Sequence, residues 1–592
     1  MFEAVIYALI LIVSLFLAAQ AVFTLVLMLH TWGRPERLEE ADSPHIYVPP
    51  KLSFTAILPA RHEEGVIGET VRKVWETDYP KRLLEVVVVC ERSDLGTIAE
   101  AEQAAREIGH PNVRVVTFKG GPINKPHGLN VALFETKNEV VTIFDAEDDV
   151  HPELFFVINT IMRKKGASIV QAGVQLMNYE SSWYSIHNVL EYFFWFKSRL
   201  HFHARVGMIP LGGNTIFIKR RLIEDVGGWD EGCLTEDADI GIRLSVSGEK
   251  IVVTYDAEHA TREETPHSVG GLIKQRTRWC QGFFQILRKG DWRKLPTRGQ
   301  RLLAFYTLTY PFFQALVGAL WVPAVAMMLY LKVPLGVAMV SLLPLYAVGF
   351  QFLVSLAGLF DFARTYRFRI GVRDFIRLAV GFLPYQFLLS ISALRAVLRE
   401  HRGAINWEKT AHSGMHRGPA EKKIFYPAYP GADRLPANEK TIFPGVRPAD
   451  VIFRIGLDAL FREAVNRLNV ERGSVMVFDP KRNAFFIKAS RGLPEQIVHL
   501  AKVGVGERVV GWVAQNKRPV VIDGQQAPRE LRDRLTSPDL LSSIVLPIER
   551  DGETAAVISF SSKEKKLGED DLRWLKDRAE ELLNREPDAL LA

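Results

Sequence analysis

Residues Ala4–Leu29 contain no charged side chain, and at roughly 26 residues the run exceeds the ~20 needed to cross a hydrocarbon layer of about 30 Å. Hydrocarbon offers no hydrogen-bond partners, so such a run is expected as a helix. It reads as a membrane anchor. The triplet Ala19-Gln20-Ala21 could serve as a signal-peptide cleavage site, but no basic segment precedes it and apolar sequence continues past it. Both points favour an uncleaved helix. Three further apolar segments, 303–331, 333–360 and 376–398, contain Pro311, Pro323, Pro344 and Pro384. Buried helices of that length are unusual in soluble proteins, so several membrane segments are expected.

A chain of 592 residues is too long for one ordinary core and calls for several domains. Its 74 basic and 68 acidic residues leave a net charge of only +6, so charge balance gives no reason to expect a nucleic-acid partner. Cys90, Cys233 and Cys280 are scattered, without CxxC spacing. This fits a reducing compartment and argues against a disulfide scaffold or zinc site.

Between the first apolar run and residue 300, β-branched-rich stretches (Ser53–Pro59, Glu85–Cys90, Val140–Phe144, Ser168–Ala172) alternate with amphipathic ones such as Val66–Glu76 and Ile98–Ile108. The alternation predicts an α/β domain with a mostly parallel sheet covered on both faces. Ligands of such sheets bind beyond the carboxyl ends of the strands, where the acidic cluster 145–149 falls. Two stretches, 185–206 and 267–290, mix aromatic with basic residues and read as interfacial helices, with a domain helix packed on the sheet as the alternative for the first. Residues 410–447 are rich in Pro, Gly and Lys and read as a linker.

From residue 448 the order is helix, strand, turn, strand, the stretch KVGVGERVVGWVAQNKRPVVI, a hairpin turning at Asp551-Gly552, and a charged closing helix. Residues 448–592 resemble a GAF domain, a resemblance that implies small-ligand sensing or dimerisation. No cysteine follows Cys280, which excludes a covalently held bilin, and no RxxxR signature of the PilZ type is evident.

Six spaced motifs precede this domain: ILPARHEEG (57–65), NKPHGLNVAL (124–133), FDAEDD (144–149), PLGGN (210–214), LTEDAD (234–239) and QRTRW (275–279), with GGWDEG at 227–232. Their order resembles the processive branch of family 2 glycosyltransferases, the cellulose and hyaluronan synthase group. The resemblance implies a GT-A catalytic domain over about 50–265, helices bearing QxxRW over 266–300, membrane segments over 301–400 and an inverting transfer from a UDP-sugar to a polysaccharide. Carried over by motif, Glu63 and Glu91 lie near the nucleoside, with Asp94 as a rival to Glu91, and Lys125 approaches the diphosphate. Asp145 and Glu147 take the DxD positions and would hold Mg²⁺ or Mn²⁺, with Asp148 as an alternative ligand. Asp237 takes the base position, and Gln275, Arg278 and Trp279 the pyrophosphate and acceptor positions. NWEKTAHSG (406–414) shares a Trp–x–Lys–Thr core, Trp407, Lys409 and Thr410, with the gating loop of cellulose-type synthases.

These roles agree with the chemistry of the residues. Divalent Mg²⁺ and Mn²⁺ take oxygen ligands shared between carboxylates and phosphates, an Arg fork grips phosphate, and an indole face suits a pyranose. In the bland readings Asp237 is a helix first-turn charge, Arg278 and Trp279 are interfacial anchors, and Lys125 is a solvated loop lysine. The second DxD carboxylate is a glutamate, one methylene longer than the usual aspartate, which makes metal geometry and metal preference a specific question; Cys90-Glu91 replaces the usual paired aspartates. The expected setting is a bacterial inner membrane with the catalytic domain cytoplasmic, and homo-oligomerisation stays open. Transfer to a lipid acceptor, and a sensor or phage-receptor role for a degenerate transferase fold, are the alternatives.

Topology poses a conflict. Arg364, Arg367, Arg369 and Arg373 place the loop after the third apolar segment inside. If the fourth segment spans, everything after it lies outside, so an interfacial or re-entrant fourth segment is the expected escape.

Overall fold

A computed structural model describes residues 2–32, 43–44, 47–330, 333–366, 368–404, 408, 448–479, 484–493, 502–523, 531, 541–550 and 552–583. The chain divides into two compact units. Met1–Ser43, Leu52–Leu154 and Ile161–Phe425 form the first, and Pro44–Lys51, Phe155–Thr160 and Tyr426–Ala592 the second.

In the first unit a long helix, α1 (Phe2–Met28), precedes the α/β elements β1 (Phe54–Ala60), α2 (Ile67–Trp75), β2 (Leu84–Glu91), α3 (Leu95–Ile108), β3 (Val113–Phe118), α4 (Lys125–Glu135) and β4 (Val140–Ile143). There follow α5 (Leu154–Lys165), β5 (Ile169–Ala172), β6 (Val174–Leu176), α6 (Ser185–Phe194), a π-helical turn (Trp195–Arg199), α7 (Leu200–Val206), β7 (Ile216–Lys219), α8 (Arg220–Asp225), α9 (Glu236–Val246), β8 (Ile251–Thr254) and β9 (Thr261–Glu263). The main sheet runs β3-β2-β1-β4-β7-β5-β8. Its pairs are parallel except those made by β7, which lies antiparallel to both β4 and β5. The sheet is mostly parallel, as expected, and β7, which returns from the PLGGN loop in the opposite sense, is its antiparallel strand. Central strands such as Val140–Ile143 are buried throughout, which is why they read as unbroken apolar runs rather than alternating ones.

The rest of the unit is helical: α10 (Val269–Lys289), α11 (Arg298–Tyr330), α12 (Leu335–Ser341), α13 (Leu343–Tyr366) and α14 (Val372–His401). Among the described residues three helices are long and apolar enough to cross a membrane, over Tyr7–Met28, Leu343–Tyr366 and Val372–His401. The expected segment 333–360 is broken into α12 and α13 rather than continuous.

Residues 185–206 depart from the interfacial reading. Ile186, Val189, Leu190, Phe193, Phe196 and Leu200 share one buried cluster with sheet residues Ile57, Val141 and Ile218 and with Leu359, Phe362 and Leu378 of α13 and α14. Aromatic packing on protein, not on lipid, takes up this face. One of its basic residues is paired inside: Lys197 Nζ is 2.7 Å from Asp361 Oδ2.

The position of α14 bears on the topological conflict. Near its start Arg377 donates to the carbonyl of Tyr179 at 3.1 Å. Midway, Tyr385 Oη donates to Glu191 at 2.8 Å. Near its end Arg399 Nε donates to Gln281 Oε1 at 3.1 Å. All three partners belong to the α/β domain or to α10, so α14 lies along them over its whole length. The outward face, Ile376, Val380, Leu383, Phe387, Leu394 and Leu398, is apolar and exposed, at the three- and four-residue spacing of an amphipathic helix.

The second unit contains α15 (Pro448–Leu468), β10 (Arg472–Asp479), β11 (Ala484–Arg491), β12 (Lys502–Gly504), α16 (Arg508–Asn516), β13 (Val520–Asp523), β14 (Ser542–Arg550), β15 (Glu553–Ser562) and α17 (Glu569–Leu583). The sheet, ordered β12-β11-β10-β15-β14-β13, is antiparallel throughout. Leu457, Leu460 and Ala464 of α15 and Leu575 and Leu582 of α17 are buried in one cluster with Ile544, Ile558 and Phe560. The expected helix–strand order of 448–592 is present in the described residues.

Candidate active site

β4 ends at Ile143, in the middle of the sheet, and the chain turns at once. The Asp148 N–H donates to the Asp145 carbonyl at 3.1 Å, and the Asp145 N–H donates to Asp148 Oδ2 at 2.8 Å. Both oxygens of Asp148 also accept from Asn214 Nδ2, each at 2.8 Å, and Asn214 reaches Glu263 as well. Burial, with Glu263, Asp145 and Glu147 close by, pushes the Asp148 carboxyl well above the usual carboxylate range. Asp148 is wholly buried and braces the turn, whereas Asp145 and Glu147 face the cavity.

Lys125 opens α4, whose start is capped by Asn124 Oδ1 accepting the His127 N–H at 3.0 Å. Its ammonium lies 2.5 Å from Asp145 Oδ1 and 3.9 Å from Glu236 Oε1, and donates to the Gly213 carbonyl at 3.0 Å. Burial opposes its charge, but the carboxylates of Asp145, Glu236 and Asp237 outweigh that and hold it protonated beyond the ordinary lysine range.

Asp237 lies in the first turn of α9, and its Oδ1 accepts the Ala238 N–H at 2.8 Å. Burial raises its pKa above the ordinary aspartate value, against the pull of that N–H, Lys125 and Arg278. Neighbouring Glu236 is pushed up to about 7, first by burial and then by Asp237, with Lys125 opposing. A Cβ at Gly213 would stand 3.3 Å from Asp237 Oδ2 and 3.8 Å from Lys125 Nζ. The bare glycine of PLGGN thus lets the carboxylate and the ammonium close on one wall.

α10 begins at Ser268, whose Oγ accepts the Gly271 N–H at 3.0 Å. Gln275, Arg278 and Trp279 fall at i, i+3 and i+4 on one face. Gln275 Oε1 is buried without a hydrogen-bond partner, and a buried polar atom of that kind costs stability unless a ligand satisfies it. Arg276 also lines the cavity but is held by other partners: it donates to Tyr385 Oη at 3.2 Å and pairs with Asn188 and Glu191, with its guanidinium 4.5 Å from the Trp279 ring. That stack braces the indole, a function sequence reading did not assign to the inner arginine of QRTRW.

These groups converge on one cavity of about 620 Å³. Glu63, Glu91, Lys125, Asp145, Glu147, Asp237, Gln275, Arg278 and Trp279 all line it. Asp94, the rival to Glu91, instead caps α3 and accepts the His62 N–H at 2.6 Å. The lining continues past Trp279 to Tyr306, Tyr310, Gln314, Gln351 and Gln386 on the helices. Trp407, Lys409 and Thr410 lie outside the described residues; between them Glu408 is held by Arg395 at 2.8 and 2.7 Å and by Arg399 at 3.1 Å. Asn214, Glu236 and Glu263 were missed as site residues. The first two stood inside quoted motifs, but the coincidence of Glu263 with Asp148 is visible only in three dimensions.

A mixed sheet with an acidic turn at its centre, a buried lysine beside it and a carboxylate across a glycine gap defines a GT-A type α/β domain. Residues 49–282 match the glycosyltransferase like family 2, and residues 454–582 match the GAF domain. A beta-monoglucosyldiacylglycerol synthase of Trichormus variabilis is 27% identical over 239 residues, 40% of this chain and 50% of that protein. A probable glucomannan 4-beta-mannosyltransferase of Oryza sativa is 26% identical over 309 residues, 50% of this chain and 51% of the relative. A poly-beta-1,6-N-acetyl-D-glucosamine synthase of Staphylococcus epidermidis is 24% identical over 275 residues, 46% and 62% of the two chains. The chain spans about half the length of the first of these relatives.

Proposed function

We propose that this chain is a membrane-bound inverting glycosyltransferase that moves a sugar from a nucleoside-diphosphate donor, in the first instance a UDP-sugar, to a growing polysaccharide. The observation that carries this reading is the convergence of Lys125, Asp145, Asp237, Gln275, Arg278 and Trp279 on one cavity. Asp145 and Glu147 offer oxygens at its acidic end, the donor set Mg²⁺ or Mn²⁺ takes; the ion, when bound, would neutralise charge on the leaving diphosphate. Lys125 and Arg278 hold phosphate oxygens. Asp237, raised by burial yet facing the cavity, receives the acceptor hydroxyl proton as the new bond forms, and its raised pKa suits a base. Inversion follows from the family resemblance, with Asp237 as the base. Glu63 and Glu91 flank the nucleoside end.

Glutamine and tyrosine side chains along the cavity's extension favour a sugar chain as acceptor. A lipid acceptor is favoured by a different observation: Leu27, Met28, Phe382 and Leu389 also line the cavity, and a diacylglycerol-glucosylating enzyme is among the relatives. Purified protein in nanodiscs, given a panel of UDP-sugars with Mn²⁺ or Mg²⁺, tests both readings. Nucleotide release with a long labelled product supports the polymer, and a single-sugar lipid the alternative. No release with any donor, metal or acceptor would leave only a sensor role.

For topology, α1, α11 and the α12–α13 pair would cross an inner membrane, and α14 would lie on its cytoplasmic face with its apolar stripe in lipid. Residue 1 is then outside, while the Arg-rich loop, the catalytic domain and the GAF domain are inside. The GAF domain would regulate the transferase through a small ligand or through pairing of chains, and turnover with and without residues 448–592 tests that link.

A further inference from the structure

Away from the cavity, three side chains of metal-binding type meet in the interior of the α/β domain. His151 and Glu153 follow the acidic turn just before α5, and His259 sits in the connection from β8 to β9. All three are buried, Glu153 completely, and one ligand atom from each lies within 4.8 Å of the others. The two imidazole rings meet edge to face with centroids 4.7 Å apart. We propose that His151, Glu153 and His259 form a Zn²⁺ site of three protein ligands, with water as the fourth and Asp256 as the carboxylate that orients His259.

The hydrogen bonds are laid out for a metal. Asp256 Oδ2 is 3.0 Å from His259 Nδ1 and Glu153 faces Nε2, so against the effect of burial the two carboxylates raise the His259 pKa to about 10; a metal at Nε2 would displace the proton there and keep the Asp256 bond, as in the carboxylate–histidine–metal arrangement. His259 Nε2 and Glu153 Oε2 are 3.3 Å apart. A charge-assisted N–H···O bond closes to about 2.7–2.9 Å. The longer separation is that of two ligands on tetrahedral zinc, about 3.3 Å for bonds of about 2.0–2.1 Å. His151 Nδ1 accepts the Glu153 N–H at 3.2 Å, and ligation through this nitrogen would replace that bond.

Two imidazoles and one carboxylate favour zinc over Mg²⁺ or Mn²⁺, which prefer all-oxygen sets. That separates this site chemically from the cavity's carboxylates. The cysteine pattern gave no zinc site, and this one uses no cysteine. Its ligands come from the two segments that already meet at the backbone bridge between Asp149 and Arg262, at 3.1 Å in each direction. A bound ion would therefore fasten the end of the Asp145–Asp149 turn to the β8–β9 connection.

The test is elemental analysis of the full chain in nanodiscs, loaded with Zn²⁺ and dialysed into metal-free buffer, alongside the visible spectrum after Co²⁺ loading. Stoichiometric zinc and the intense bands of four-coordinate cobalt are expected in the wild type and in a variant carrying Asp145→Asn and Glu147→Gln, and both are lost in His151→Gln. A wild type that retains no zinc and shows no such cobalt bands overturns the proposal, leaving a histidine–carboxylate network. Zinc kept by His151→Gln but lost from the Asp145→Asn, Glu147→Gln variant overturns it too. The wild-type measurements decide even if His151→Gln does not fold.

Discussion

The spacing between the base and the acceptor-binding helix rests on one glycine. Gly282 of α10 faces Thr235, the residue immediately before α9. A Cβ there would stand 2.2 Å from Thr235 Oγ1, 2.6 Å from Cγ2 and 2.7 Å from the backbone nitrogen. The side-chain atoms can rotate away, but the nitrogen cannot. Restoring ordinary contact at 3.4 Å means moving α10 from the start of α9 by about 0.7 Å, against a densely packed interior. The same shift strains the bond from the Leu234 N–H to Gln285 Oε1, now 3.0 Å. In Gly282→Ala the helix gains about 1 kcal/mol from propensity and loses about 1–3 kcal/mol to overpacking, so the protein should remain folded with a slightly lower Tm. Turnover should suffer more, because Asp237 lies two residues past Thr235 and Trp279 three residues before Gly282. A misplacement of about 1 Å costs about 100-fold, so a fall in kcat of roughly ten- to a hundredfold is expected, read as nucleotide release at saturating donor. Gly270→Ala, on the same helix, meets only Ser268 Oγ at 4.0 Å and serves as the control. A folded Gly282→Ala with unchanged kcat would refute the idea that this contact sets the geometry of transfer.

Asp237→Asn should lower kcat by about 10²–10⁴-fold, and near-normal transfer would remove the base assignment. Because burial raises the Asp237 pKa and the base acts only when ionised, wild-type kcat/KM should fall with decreasing pH through a midpoint above that of an exposed aspartate; a limb at or below the ordinary value of 3.8 would contradict this. Trp279→Ala should impair chain extension more than donor hydrolysis, and equal losses in labelled product and free nucleotide would show that the indole does not bind acceptor. A reporter fused after Ala592 should be active on the cytoplasmic side, and activity confined to the outer side would overturn the placement of α14.

Much of the site was legible because its chemistry is carried by short motifs. A carboxylate cluster after a β-branched run, a lysine at a helix start and Gln-x-x-Arg-Trp on one helical face need only local spacing to be read. Less legible were groups whose meaning depends on a partner far along the chain. Arg276 carried no role in the motif until its ties to Glu191 and Tyr385 showed it bracing the tryptophan. Asp148 looked as good a ligand as Glu147 until Asn214 claimed both its oxygens. The aromatic stretch 185–206 read as interfacial, since composition reports that large apolar rings must be covered but not by what.

The sequence by itself determined the element types, the apolar lengths and the order of the motifs, all properties of periodicity and composition within a few turns of chain. Only the tertiary structure decided which face of each element met which other. It reversed β7 in the sheet, laid α14 along the domain and brought the connection holding His259 onto the end of the acidic turn. Those outcomes depend on contacts between segments far apart in the chain, whose energies come from packing and desolvation, and no local pattern encodes them.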